Sequence, residues 1–263
     1  MKITAVIQAR MGSTRLPGKV LLEVLGRPLL DHMAGQLLFC RRLDRVVLAT
    51  TTNPADDALA RQGGGLGWTV YRGDETDVLD RYYQAGLAAG AAHVMRLTAD
   101  CPLVQPDLVD RLALDYASGG CDYIRTSERF AEGLDCELFS FEALERSWRE
   151  ARRPSEREHV TLYLRGKPEV FRLRTLENPL DEGRYRLTVD EPEDYQVVSA
   201  VIEALSRPGD WISFARIKEF LDGHPEIFAK NAHVVRNEGL LKSLSAEASG
   251  VVSPTDGESL EAV

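Results

Sequence analysis

Short apolar runs and stretches with helical spacing alternate four times in the first 117 residues of this chain. The runs are four to six residues long and are followed by polar or Gly/Pro-containing turns, which is typical of buried strands. Such β-α repeats predict an α/β protein with a mainly parallel sheet and helices on both faces. The predicted strands span residues 3–7, 45–50, 68–71 and 93–98, and the predicted helices span 29–38, 54–62, 78–89 and 106–117.

The regular alternation ends after residue 120. We predict one domain over residues 1–242, in which 121–185 form an irregular insertion. The glycine-rich stretch 63–67 lies between a helix and a strand and predicts a turn. Residues 243–263 are small, polar and acidic, which predicts a disordered tail. Further strands are expected at 122–126, 137–140, 170–173 and 184–189, and further helices at 141–151, 158–164, 192–205 and 214–221.

The loop that follows the first predicted strand carries three cations, Arg10, Arg15 and Lys19. Two glycines and a proline lie among them, and no acidic residue occurs in residues 1–22. Cations and free backbone N–H groups at the carboxyl end of a strand suit a polyanion such as a triphosphate. The alternative is an ordinary basic surface loop.

Neither common nucleotide-binding loop is present at this position. A P-loop requires Gly, four residues and then Gly-Lys-Ser/Thr, whereas five residues separate Gly12 from Gly18-Lys19 and Val20 replaces the hydroxyl. The dinucleotide pattern G-x-G-x-x-G is also absent. A triphosphate loop here must therefore be of another type.

Residues 8–21 read Gln-Ala-Arg-x-x-Ser-x-Arg-Leu-Pro-x-Lys-x-Leu. This stretch resembles the signature loop of the cytidylyltransferase superfamily, which includes acylneuraminate and 3-deoxy-manno-octulosonate cytidylyltransferases. The resemblance is strongest to the branch of spore-coat polysaccharide biosynthesis and covers residues 1 to about 240. It implies a three-layer, Rossmann-like nucleotide-diphospho-sugar transferase fold. It also implies transfer of CMP from CTP to a sugar or sugar-acid acceptor, with release of pyrophosphate, for surface polysaccharide biosynthesis.

Two aspartates follow predicted strands and are candidate magnesium ligands. Asp100 follows the strand at 93–98, and Asp190 follows the strand predicted at 184–189. Carboxylates at strand ends that face a phosphate loop could hold Mg²⁺ together with phosphate oxygens. Each could equally cap a helix, because a proline follows two residues later. The segments 96–103 and 186–194 resemble the two metal-aspartate segments of the family, which implies that both aspartates bind the metal.

The nucleotide is expected to contact the loop and the ends of the second and fourth strands. The resemblance implies that the arginine at position 81 reads the pyrimidine edge, and the alternative for Arg81 is a solvated cation on a helix. We expect charge neutralisation and catalysis from Arg10, Arg15, Lys19 and Asp100. The candidate nucleotide-binding residues are Gln8, Ala9, Arg10, Ser13, Arg15, Lys19, Thr51, Asn53, Arg81 and Thr98.

The acceptor is expected beside the irregular insertion. Asp135 and Glu137 alternate along a predicted strand, which would place both carboxylates on one face. Glu158 and His159 lie near a predicted helix start. Both segments resemble the spore-coat branch, which implies that they line the acceptor pocket. The alternative is an ordinary polar edge and a capped helix.

Two other functions remain open at this point. A glycosyltransferase of the related nucleotide-sugar fold would usually carry Asp-x-Asp, which does not occur; Asp135-Cys136-Glu137 is the nearest approach. A non-catalytic nucleotide-binding protein could keep the same fold, although the intact set of cations and aspartates argues against it. The substance consumed, a nucleoside triphosphate or a nucleotide sugar, distinguishes the enzymes.

Composition narrows the partners and the compartment. A formal net charge of −9 argues against a general nucleic-acid binder, and no apolar run is long enough to span a membrane. The four cysteines form no CxxC pair and no signal-peptide pattern is present, so we expect reduced thiols and a cytoplasmic location. Many members of the family that the chain resembles are dimers, which implies a homodimer that pairs through residues 121–185.

Overall fold

The computed structural model describes residues 1–249. Two 3₁₀ turns, Lys19–Leu21 and Pro54–Asp56, accompany the regular elements. The strands are β1 (Ile3–Gln8), β2 (Glu23–Val24), β3 (Arg27–Pro28), β4 (Arg45–Thr51), β5 (Thr69–Gly73), β6 (His93–Thr98), β7 (Tyr123–Thr126), β8 (Glu137–Ser140) and β9 (Leu173–Leu176). The helices are α1 (Leu29–Leu37), α2 (Asp57–Gly65), α3 (Val78–Ala88), α4 (Pro106–Ala117), α5 (Phe141–Glu150), α6 (Pro154–Glu158), α7 (Leu162–Arg165), α8 (Pro192–Leu205), α9 (Phe214–Gly223), α10 (Pro225–Phe228) and α11 (Glu238–Ala248).

Seven strands form one mixed sheet in the order β5-β4-β1-β6-β8-β7-β9. The first four strands of this order are parallel, β8 is antiparallel to both of its neighbours, and β9 is parallel to β7. Strands β7, β8 and β9 lie in the predicted insertion, so this segment extends the sheet by three short strands instead of standing apart from it. The predicted α/β class with a mainly parallel sheet is confirmed.

Apolar side chains of the central strand β1 point alternately to two hydrophobic clusters, one on each face of the sheet. Ile3, Ala5 and Ile7 pack with α1, α4 and α8, whereas Val6 packs with α3 and α5. All four side chains are at most 1% exposed. Burial on both faces explains why this strand is a continuous apolar run, and it leaves only the strand ends available for a ligand.

Four predictions of secondary structure were wrong. Residues 184–189 form no strand, and only an isolated bridge joins Glu132 to Arg186. The last strand is Leu173–Leu176 instead of 170–173, and the helix predicted at 158–164 is two short helices, α6 and α7. The glycines at 63–65 lie within α2. That helix packs closely on β4, since a Cβ at Gly63 would lie 2.4 Å from the end of the Leu48 side chain and would force it to shift.

The chain remains helical beyond the predicted domain end at residue 242. Helix α11 continues to Ala248, so residues 243–248, predicted to be disordered, are helical. The rest of the predicted tail, 250–263, lies outside the described residues. No helix in residues 1–249 is long and apolar enough to cross a lipid bilayer.

Candidate active site

The loop after β1 (residues 9–18) starts at the carboxyl edge of the sheet, between β4 and β6. It folds back on itself, because the backbone N–H groups of Ser13 and Gly18 both donate to the Met11 carbonyl oxygen, at 2.9 and 3.0 Å. Gly18 has a left-handed backbone, with φ +69°, and the 3₁₀ turn that begins at Lys19 follows it. This geometry turns the chain inward, so that Lys19 points back under the loop.

Lys19 joins the two predicted metal aspartates. Its Nζ donates to Asp100 Oδ2 at 2.9 Å and to Asp190 Oδ1 at 2.6 Å. Burial lowers the pKa of Lys19, but the two carboxylates more than offset this, so its pKa lies above the ordinary value. Burial likewise raises the pKa of Asp100, while Lys19 and a hydrogen bond from Thr98 bring it down to about 2. The alternative of an ordinary basic surface loop is therefore wrong for Lys19, which is buried.

Backbone contacts bring the two aspartates together from distant parts of the chain. The Val189 N–H donates to the Asp100 carbonyl oxygen at 2.8 Å. Neither aspartate caps a helix, since α4 starts after Gln105 and α8 starts after Glu191. The cap of α8 is completed by Asp194, which accepts from the N–H groups of Asp190 and Glu191 at 3.0 Å each. The carboxylate of Asp190 is thereby left for cations.

Arg15 and Arg10 contact carboxylates nearer the surface. The Arg15 guanidinium lies 3.2 Å from Asp190, 3.0 Å from Glu191 and 3.1 Å from Glu238. Arg10 lies 3.4 Å from Glu75, and nearly half of its side chain is exposed. The exposure of the three predicted cations therefore increases from the buried Lys19 through Arg15 to Arg10.

The two predicted nucleotide contacts at the end of β4, Thr51 and Asn53, differ in their exposure to solvent. Thr51 is fully buried, and its hydroxyl and N–H both donate to Asp56. Asp56 also accepts from the N–H of Met11 at 2.7 Å, so it ties the loop to the end of β4. Asn53 is exposed and donates to Glu75 at 3.1 Å. Thr51 therefore holds Asp56 in place and is inaccessible to a ligand, whereas Asn53 is exposed and accessible.

Arg81 is 2% exposed, so the alternative of a solvated helix cation is wrong. Its Nη1 donates to the carbonyl oxygens of Asp74 and Glu75, at 2.6 and 3.3 Å. Its Nε is buried and has no hydrogen-bond partner among the described residues. Burial lowers the pKa of Arg81. The Arg81 side chain therefore holds the turn at residues 74–75 through Nη1, while its buried Nε–H donor has no partner among the described residues.

The alternation predicted that Asp135 and Glu137 share one strand face, and this prediction was wrong. Strand β8 begins only at Glu137, and Asp135 precedes it in an exposed position, 2.7 Å from Arg236. Glu137 is buried and accepts from Arg96 Nη1 at 2.6 Å, from Thr161 at 2.8 Å and from the hydroxyl of a tyrosine. Burial raises the pKa of Glu137, but the bond to Arg96 and the tyrosine outweigh this, so the pKa is lowered.

Glu158 and His159 do lie together, and a residue of the predicted tail contacts both. Ser243 Oγ lies 2.9 Å from Glu158 Oε2 and 3.0 Å from His159 Nε2. Burial lowers the pKa of His159 below its ordinary value. Helix α11 therefore contacts the second predicted acceptor segment, although the Glu158 side chain remains about half exposed.

Sequence reasoning missed Arg96, which spans from the nucleotide loop to the insertion. Its Nη2 lies 3.3 Å from Gln8 Oε1, and its Nη1 donates to Glu137. The signal was present, because an arginine in the middle of a buried parallel strand requires a partner. The hydroxyl of Thr98, two residues later, lies 3.3 Å from Cys101 Sγ.

Comparisons with known proteins identify the family of the chain. The cytidylyltransferase family model matches residues 4–235. A spore coat polysaccharide biosynthesis protein of Bacillus subtilis is 35% identical over 238 residues, which cover 85% of this chain and 95% of that protein. A solved cytidylyltransferase from Leptospira borgpetersenii superposes with a TM-score of 0.81 at 33% identity, covering 87% of this chain and 97% of that chain.

A more distant structure shares the fold. A CMP–2-keto-3-deoxy-manno-octonic acid synthetase, solved in complex with CTP, has a TM-score of 0.61 at 19% identity. The superposition covers 78% of this chain and 99% of that chain. The fold is the predicted nucleotide-diphospho-sugar transferase fold. The protein is a nucleotidyltransferase and belongs to the cytidylyltransferase family.

Proposed function

We propose that the protein transfers CMP from CTP to a sugar or sugar-acid acceptor for surface polysaccharide biosynthesis, with release of pyrophosphate. The observation that carries the proposal is the cluster of Lys19, Asp100 and Asp190 beneath the loop, at the carboxyl edge of the sheet. The spore-coat relative supports the polysaccharide role by its name, and the octonic acid synthetase structure supports CTP by its bound ligand.

The cluster fits a magnesium ion by the chemistry of its donors. Among residues 1–249, no three His, Cys, Asp or Glu side chains converge as a metal site. Mg²⁺ in phosphate-transfer sites is commonly bound by one or two carboxylates together with phosphate oxygens and water. Asp100 and Asp190 already share one cation, the Lys19 ammonium, at 2.9 and 2.6 Å. We propose that these two carboxylates hold Mg²⁺, which when bound would neutralise and orient the phosphate oxygens.

The cations of the chain itself would act on the leaving group. An acceptor oxygen attacks the α-phosphorus in line, the bond from that phosphorus to the bridging oxygen breaks, and pyrophosphate leaves with the bond electrons. Arg10, Arg15 and Lys19 would stabilise the charge that develops on the pyrophosphate. Lys19 remains charged throughout, because its pKa lies above the ordinary value.

We assign the remaining predicted residues to holding and recognising the two substrates. Gln8 ends β1, and Ala9 and Ser13 belong to the loop that would surround the phosphates. Asn53 and Arg81 lie on the side proposed for the base. On the acceptor side, Asp135 and Glu158 are exposed and His159 is half-buried. Glu137 is already satisfied by internal partners, so we propose that it holds Arg96 in place.

A pyrophosphate-release screen tests the proposal. The four nucleoside triphosphates are each combined with nonulosonic acids, octulosonates and sugar phosphates, with Mg²⁺ or with a chelator. Release that requires CTP, Mg²⁺ and one acceptor class is the expected result. Consumption of a nucleotide sugar with release of a nucleoside diphosphate would instead indicate a glycosyltransferase. Tight CTP binding without turnover across the whole panel would indicate a non-catalytic binder.

Two further parts of the proposal concern assembly and location. We propose a homodimer that pairs through residues 121–185, and sedimentation of the full chain measures the mass directly. We also propose a cytoplasmic location, where CTP is available to the enzyme.

A further inference from the structure

The segment from 236 to 248, named here the C-terminal strap, lies along one side of the candidate active site. The family match ends at residue 235, so the strap lies beyond it. Its first contact is an ion pair between Arg236 and Asp135 at 2.7 Å. The backbone N–H of Asn237 lies 3.3 Å from a carboxylate oxygen of Glu132. Helix α11 then runs away from these contacts towards α6.

The strap places a carboxylate on a cation of the phosphate loop. Glu238 Oε2 lies 3.1 Å from Arg15 Nη1. The same guanidinium nitrogen pairs with Glu191 at 3.0 Å, and the other terminal nitrogen pairs with Asp190 at 3.2 Å. Three carboxylates therefore surround one arginine side chain. A bound triphosphate would compete with them for its N–H groups.

The far end of the strap contacts two of the predicted acceptor residues. Ser243 lies within hydrogen-bond distance of both Glu158 and His159. One turn later, Glu247 accepts from the N–H of Ser155 at 2.6 Å and from its hydroxyl at 2.8 Å. With α11 in place, Ser155 is 1% exposed. An acceptor that reached His159 from this side would have to displace the helix.

The strap is attached by polar contacts and not by a core. None of the eleven residues of α11, all of which the structure describes, is fully buried. Its leucines at 241 and 244 face solvent. Ion pairs and hydrogen bonds between partly exposed groups contribute only about 0.2–1 kcal/mol each. Elements held in this way open at low free-energy cost.

We propose that the C-terminal strap is an autoinhibitory element that covers the acceptor side of the site and is released when a triphosphate occupies Arg15. This inference rests on the proposed function, because it requires Arg15 to bind the triphosphate. Glu238 is the link between the two events: it holds the strap only while Arg15 has no phosphate partner. In the free enzyme the strap lowers the apparent affinity for CTP by the fraction of molecules in which it is docked.

Hydrogen exchange of the full-length protein measures the docking of the strap directly. We expect backbone amides of 241–248 to exchange faster when CTP and Mg²⁺ are added. Calorimetry on the same samples measures CTP affinity. Glu238→Gln and Glu247→Gln should each raise exchange in α11 and tighten CTP binding by about two- to fivefold, because the first loses a partly exposed ion pair and the second weakens its hydrogen bonds to Ser155. Glu219→Gln is the matched control, since Glu219 is exposed on α9 away from the strap.

Glu247 separates release of the strap from a simple charge effect. Glu238 lies beside Arg15, so its neutralisation could favour a triphosphate electrostatically, whereas Glu247 contacts Ser155 instead. Tighter CTP binding in Glu238→Gln alone would overturn the proposal. A second pair, Ser243→Ala against the exposed Ser245→Ala, tests the middle of the helix in the same way, with faster exchange expected only for the former.

The outcome also distinguishes this inference from the proposed function. If CTP fails to bind the wild-type protein, the proposed function fails, and so does the link to a triphosphate. If CTP binds and exchange in 241–248 stays constant or slows, the strap is a fixed or closing wall and the autoinhibition proposal is wrong, while cytidylyl transfer stands.

Discussion

Replacing Lys19 by methionine removes the cation that Asp100 and Asp190 share and keeps most of the side-chain volume. The ammonium is largely buried, with 11% of the side chain exposed, so water can replace it only in part. Asp190 retains Arg15 and Arg186, each at 3.2 Å. Among the described residues, Lys19 alone forms an ion pair with Asp100, so that carboxylate loses its cation.

The free-energy cost of Lys19→Met comes mainly from Asp100, which is left without a cation. Removing one partner of a buried ion pair costs about 3–5 kcal/mol, and we expect about 2 kcal/mol here because both carboxylates are partly exposed. For a chain of this size that corresponds to a fall in Tm of about 4–8 °C. Pyrophosphate release should fall by about 10²-fold or more, the usual effect of removing one preorganised electrostatic group.

The pH dependence of stability should change as well. The pKa of Asp100 is lowered to about 2, so in the wild type this group stabilises the fold above its unfolded pKa of about 3.9. That contribution is lost as the pH falls through about 4 to 2. In Lys19→Met the pKa of Asp100 should rise, so the contribution shrinks and is lost at higher pH. Chemical denaturation between pH 2 and pH 7 measures the difference.

A matched substitution and a metal titration complete the test. Lys167→Met removes the cation of an exposed pair with Glu169, at 3.9 Å, and should change the free energy of unfolding by less than about 1 kcal/mol. Mg²⁺ should raise the Tm of Lys19→Met more than that of the wild type, because the carboxylates no longer hold an ammonium. Near-normal pyrophosphate release from Lys19→Met would refute the role of Lys19.

Three further predictions concern other parts of the site. Asp100→Asn should raise the Mg²⁺ concentration needed for half-maximal activity by at least about tenfold, measured by pyrophosphate release; an unchanged requirement would exclude this carboxylate as a ligand. Gly133→Ala should destabilise the protein by about 2–4 kcal/mol in urea unfolding, since φ is +92° and a Cβ would lie 2.4 Å from a backbone nitrogen. The control Gly64→Ala, in open space on α2, should stabilise it by about 0.5–1 kcal/mol in the same assay. Arg96→Met should cost about 3 kcal/mol by leaving Glu137 buried without its cation, and adding Glu137→Gln should recover part of this loss; additive single-mutant effects would contradict the pairing.

The local pattern of the sequence determined most of the regular elements. Ten of them were predicted to within one residue of their observed ends, namely β1, β4, β6, β7, β8, α1, α3, α4, α5 and α8. Each combines a continuous apolar run or a regular helical spacing with a polar or proline-containing boundary. These signals act over a few residues, so they can be read without knowing the tertiary structure.

The loop after β1 was singled out as a candidate triphosphate site for the same reason. Its cations, glycines and proline are adjacent in sequence, and the family match confirms the resemblance that they carry. Parallel strands place their carboxyl ends on one edge, so the convergence of the loop with Asp100 followed from strand order alone. The sequence could not specify that Lys19, instead of a more exposed arginine, would join the two aspartates.

Tertiary contacts decided the rest, because they join residues far apart in the chain. The stretch 184–189 has strand composition, but it is held by single contacts such as Val189 to Asp100 instead of a ladder. Asp135 and Glu137 separate because β8 begins between them and Arg96 draws only the second one inward.

The end of the chain shows the limit most clearly. Residues 243–248 were predicted to be disordered from their small and polar composition, although Leu244, Ala246, Glu247 and Ala248 have high helix propensity. Their helix is positioned by partners that Glu238, Ser243 and Glu247 find on the loop and on α6, at sequence distances of 84 to 223 residues. The sequence by itself determined which chemistry the protein can perform. Only the tertiary structure decided what covers that site, because such contacts depend on where the distant surfaces meet.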